Sequence, residues 1–124
     1  MNFNKIKFSI ALFSLALVLF AADTVFAAYG PVQDFTLINR TGDTIVSIFL
    51  SPTRANKWRA EDELGDYVLK HGYEIEIEFS PWEDARYWDL RAEFADGTYD
   101  EWYNFDLFSI SEITLRRNGD AVYK

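Results

Sequence analysis

From Tyr73 to Phe79 hydrophobic and polar residues alternate without a break, with Tyr73, Ile75, Ile77 and Phe79 on one side and Glu74, Glu76 and Glu78 on the other. A period of two marks a half-buried strand, with one face in a core and one in water. Tyr87 to Phe94 repeats the pattern, setting Trp88, Leu90, Ala92 and Phe94 against Tyr87, Asp89, Arg91 and Glu93. If Ser80–Ala85 joins these runs as an antiparallel hairpin, pairing Ile77 with Trp88 also sets Glu74 opposite Arg91, so apolar register and charge agree. Further strands are expected over Asp34–Asn39, Thr44–Leu50, Thr98–Phe105, Ser111–Arg117 and, briefly, Ala121–Lys124, divided by clusters of Gly, Asp, Asn and Pro. Asp96-Gly97 is a hairpin signal with two solutions. A two-residue turn sends Tyr99, Tyr103 and Phe105 inward and leaves Trp102 outside beside Arg91; a three-residue turn with a bulge reverses the faces. The long connection Thr53–Lys70 contains Ala60–Leu64, which could form one helical turn closed by Gly65.

No helical period and no internal repeat runs through residues 28–124, so the expected architecture is all-β. It is an antiparallel sandwich of about seven strands in two sheets, with a small open barrel as the alternative. The beginning of the chain reads differently. Lys5 and Lys7 precede an apolar run from Ile10 to Ala22, and Val25 and Ala27 stand at the −3 and −1 positions of a cut before Ala28. This is the order of a secretory signal peptide over residues 1–27, and the run is shorter than the roughly 20 apolar residues a membrane-spanning helix needs. Residues 28–124 then form one exported domain, periplasmic or extracellular, with no membrane anchor after cleavage.

Charge narrows the choice of partner. Two of the 12 basic residues and one of the 20 acidic residues precede the cut, leaving 10 against 19 and a formal charge of −9. Such a balance argues against nucleic acid and anionic membranes as partners. With no cysteine in the chain, disulfides and thiolate metal sites are excluded, and stability must come from packing.

Candidate chemistry is sparse. His71 is the single histidine and stands in a His-Gly turn, a poor foundation for a nucleophilic triad. Glu74, Glu76 and Glu78 have the spacing of a solvated sheet face rather than of a hydrolytic carboxylate pair. Glu61, Asp62, Glu63 and Asp66 supply the hard oxygens that calcium requires, but their spacing matches no ion-binding loop; Glu83 and Asp84 are weaker candidates still. Aromatic recognition remains. Trp58, Trp82 and Trp102, with Arg91, are the residues expected to stack on a sugar ring or a peptide side chain. No cofactor is expected.

Several short pieces occur in a recognisable order: Asn39-Arg40-Thr41-Gly42 before a strand, Ser51-Pro52 after it, then a tryptophan loop with Leu64-Gly65. Trp88-Asp89-Leu90-Arg91, Asp96-Gly97, Trp102, Asp106-Leu107 and Ile113-Thr114-Leu115 follow. With them the chain resembles a group of small exported bacterial domains of unknown function. The resemblance implies one compact domain and brings no catalytic residues. The expected function is non-enzymatic: binding a protein or glycan partner in the cell envelope. The alternative is a structural or assembly protein of the envelope that acts through strand-edge pairing, with or without a fold-stabilising calcium ion.

Overall fold

Each of the seven expected runs contains a strand in the computed structural model, which describes the backbone of residues 5–9 and the whole of residues 33–124. A first strand, β1, spans Lys5–Ser9; the seven that follow are β2 (Phe35–Asn39), β3 (Ile45–Pro52), β4 (Glu74–Glu78), β5 (Tyr87–Phe94), β6 (Tyr99–Asp106), β7 (Glu112–Leu115) and β8 (Ala121–Tyr123). They form two sheets, one of five strands in the order β1-β4-β2-β7-β8 and one of three in the order β3-β5-β6. Face to face these make an all-β sandwich rather than a closed barrel. The expected cleavage site and the apolar run Ile10–Ala22 lie outside the described residues.

The faces follow the alternation. Ile75, Ile77, Phe79, Trp88, Leu90, Ala92 and Phe94 all lie in one core cluster with Phe35, Leu37, Ile45, Ile48, Leu50, Ile113 and Leu115. What differs is pairing. β4 and β5 do not form the expected hairpin; Ser80–Arg86 carries the chain from one sheet to the other. Ile77 pairs with Phe35 of β2, and Trp88 pairs with Pro52 of β3 and Phe105 of β6. The Phe79 and Trp88 rings instead meet edge-on, 4.8 Å apart, across the core. Alternation reports which face is apolar, and two apolar faces satisfy each other equally well by stacking as by pairing side by side.

The three-stranded sheet is antiparallel throughout, but the five-stranded sheet is not. β2 runs parallel to β7, and β1 parallel to β4. The expected helical turn at Ala60–Leu64 forms no helix: the Glu63 N–H donates to the carbonyl of Ile48 at 2.7 Å, tying the loop to the edge of β3. A tighter turn over Glu63–Asp66 forms instead, with the Gly65 N–H donating to Asp62 O at 3.1 Å and Gly65 left-handed at φ 57°. A 3-10 turn forms earlier, at Thr53–Ala55.

The choice at Asp96-Gly97 falls to the three-residue turn. Phe94 N–H donates to Thr98 O at 2.8 Å, so Ala95, Asp96 and Gly97 form the loop. Tyr99 and Tyr103 therefore face outward, at 52 % and 56 % exposure, and Trp102 faces the core. The β5–β6 register then shifts between Leu90↔Trp102 and Trp88↔Phe105, with Asn104 in the left-handed region at φ 64°. This bulge lets Trp102 and Phe105, three positions apart, both point inward.

Candidate functional site

The outer face of the three-stranded sheet gathers the aromatic and charged side chains. Phe49, Arg91 and Glu101 pair in a row across β3, β5 and β6, and Ser47, Glu93 and Tyr99 form the next row. Arg91 donates to Glu93 at 3.2 Å and to Glu101 at 3.1 Å, and its guanidinium lies 3.7 Å from the centre of the Tyr99 ring. Tyr103 in turn donates its hydroxyl to Glu101. That contact with a carboxylate pushes the phenol above its ordinary range.

Trp58 joins this face from the loop after β3. The loop is fastened by the Arg59 N–H on Ser51 Oγ at 2.5 Å and by Ile48 N–H on Asp62 Oδ1 at 2.9 Å. So held, the half-buried indole of Trp58 sits 6.4 Å from the ring of Tyr103. Arg59 donates twice to Glu83 and stands 5.0 Å from the Trp88 ring centre. Between these groups lies a shallow recess of about 220 Å³, lined by Phe49, Trp58, Arg59, Arg91 and Glu93. Its floor is apolar and its rim is made of ion pairs.

Of the residues singled out from sequence, the structure brings Trp58 and Arg91 together at this recess. Trp82 stands apart on the β4–β5 connection, 86 % exposed. Trp102 corrects the expectation: it is buried at 4 %, and its indole N–H donates to Asp120 O at 2.9 Å, so it is a packing element rather than a ring open to a ligand. Phe49, Tyr99 and Tyr103 were not singled out. Their signal was present in the reversed-face solution of the Asp96-Gly97 turn and in Phe49 falling between the inward Ile48 and Leu50.

The acidic loop does not converge on an ion. Asp62 Oδ1 is occupied by the N–H groups of Ile48 and Leu64, each at 2.9 Å. Glu61 and Asp66 are exposed, Glu63 is buried, and among the described residues no three His, Cys, Asp or Glu side chains are arranged to hold a metal. Burial pushes the Glu63 carboxyl up to about 8, with the neighbouring charges of Glu61 and Asp62 acting in the same direction and Arg59 opposing them. Its Oε1 has no hydrogen-bond partner. His71 accepts the Gly42 N–H on Nδ1 at 2.9 Å, fastening one turn to another.

A second recess of about 380 Å³ opens between the two sheets, where Trp102, Tyr103 and Phe105 of β6 face Gly119, Asp120, Ala121 and Tyr123. No family model, curated protein or solved structure matches the chain.

Proposed function

We propose that the protein is an exported, non-enzymatic binding domain that recognises a neutral glycan on the outer face of its three-stranded sheet. One observation carries the reading: an indole and a phenyl ring line the same recess as Arg59, Arg91 and Glu93. A sugar ring presents apolar C–H faces that stack on aromatic rings and hydroxyls that both donate and accept hydrogen bonds. The charged groups here are already paired, Arg91 with Glu93 and Glu101 and Arg59 with Glu83. A charged ligand would have to break one of these pairs, which costs free energy, whereas hydroxyls can add to a pair that stays intact. The recess is shallow, which suits one or two units of a longer chain.

The test is titration of the exported protein with a panel of neutral oligosaccharides, followed by calorimetry. Trp58→Ala should weaken binding by at least about tenfold, a typical loss for an aromatic contact, while Trp82→Ala leaves it unchanged. Equal loss in both variants, or no saccharide binding at millimolar concentration, would remove the support for a site on this face.

A further inference from the structure

A sandwich must close its strand edges, because unpaired N–H and C=O groups invite pairing with other chains. Among the described residues the edge of β3 is covered by its own loop: Asp62 and Glu63 bond to the backbone of Ile48, and Ile45 and Leu69 exchange two backbone hydrogen bonds at 2.9 and 2.8 Å. The edge of β6 faces the β7–β8 turn, whose Asn118 N–H donates to Asp100 and whose Asp120 O accepts from Trp102. β8 is three residues long. The remaining edge is that of β4, and the strand on its outer side is β1.

β1 lies within residues 1–27, the expected signal peptide. It runs parallel to β4, with Lys5, Ile6, Lys7, Phe8 and Ser9 in register with Glu74, Ile75, Glu76, Ile77 and Glu78. Basic positions meet glutamate positions and apolar positions meet isoleucine positions along the strand. We propose that removal of the leader opens the β4 edge of the exported protein as a strand-accepting surface. Its partner is an extended segment of another protein in which basic and apolar residues alternate, added parallel to Glu74–Glu78. In the precursor, β1 occupies that place.

Two features select this partner. Main-chain hydrogen bonds along an edge supply affinity to any extended segment, and the side-chain pattern then sets specificity. Three glutamates at alternate positions disfavour a second copy of β4, since pairing of two such edges sets like charges close together. Basic residues at those positions are favoured instead. Thr36, Glu76, Glu78 and Ser111 line a shallow recess of about 230 Å³ that crosses from β4 to β2. This surface belongs to the other sheet from the glycan recess, so either proposal can fail without the other.

The experiment uses exported protein whose first residue has been established by N-terminal sequencing, titrated with a synthetic peptide corresponding to residues 4–9. Amide hydrogen exchange locates the peptide. The expected result is saturable binding that protects Glu74–Glu78 and leaves β5 and β6 unchanged. A peptide with both lysines replaced by glutamate should bind about tenfold more weakly, because it sets like charges at two register positions opposite Glu74 and Glu76. Glu76→Lys should shift the preference toward the glutamate peptide, a readout independent of any general loss of stability. No binding at millimolar peptide, protection at another strand, or indifference to the charge reversal would overturn the proposal. So would an exported protein that still begins at Met1, because the edge would then remain occupied.

Discussion

Glu63 shows how a single buried side chain sets a property of the whole protein. Its carboxyl is 4 % exposed and has one oxygen without a partner. Desolvation, reinforced by Glu61 and Asp62, raises it from 4.5 to about 8. The folded protein therefore keeps a proton that the unfolded chain releases near pH 4.5, and the resulting stability is complete below that pH and is lost as pH rises through about 8. Glu63→Gln cannot titrate. It should match the parent near pH 4.5 and exceed it by about 2 to 4 kcal/mol above pH 8. Urea unfolding at several pH values measures this, and parallel stability curves for parent and variant would show that Glu63 does not carry the shift. Nothing in the sequence separated Glu63 from Glu61, Asp62 and Asp66. Burial separates them, through the loop that ties Glu63 to Ile48.

At the scale of single elements, the strands were legible, but of their partners only the β5–β6 hairpin at Asp96-Gly97 was. Alternation placed Ile75, Ile77, Trp88 and Leu90 in the core, where all four are fully buried. Ile77→Ala should accordingly cost about 2 to 5 kcal/mol, whereas Glu76→Gln should cost little; chemical denaturation of both variants compares them. Sequence adjacency suggested that β4 and β5 pair, but a connection from Ser80 to Arg86 is long enough to cross between sheets. Nor did Thr98–Phe105 declare its bulge. The clue was Asn104, one of the few residue types that tolerates a left-handed backbone. Asn104→Gly should keep the bulge, and Asn104→Val should cost roughly 1 to 3 kcal/mol, because a β-branched side chain is strained at φ 64°. The near-ultraviolet signal of Trp88 and Trp102, which flank this bulge, should change in the valine variant and remain in the glycine variant. Equal behaviour of the two would mean that the bulge does not depend on this residue's backbone angle.

At the scale of the molecule, the chain repeatedly passes between the sheets. β2 and β3 lie in different sheets, as do β4 and β5, and β2 pairs in parallel with the distant β7. Neither sheet can be assembled from one continuous piece of sequence. Both sheets contribute to one apolar cluster, where Phe79 meets Trp88 and Trp102 and Phe105 join residues from the opposite layer. The chain has no cysteine, so this shared interior holds the layers together without disulfides. Unfolding one sheet would expose the apolar face of the other, and partial opening therefore gains little entropy for a large loss of burial. The sandwich should unfold as one unit. In native-state hydrogen exchange, the amides of Leu37 and Ile113 in the five-stranded sheet should open with the same free energy and denaturant dependence as those of Leu90 and Ala92 in the three-stranded sheet. Refolding should fall in the millisecond-to-second range typical of proteins dominated by non-local pairings. If the three-stranded sheet kept its protection after the other had exchanged, β3-β5-β6 would be an independent folding unit. The shared core would then be a later docking surface rather than the source of cooperativity.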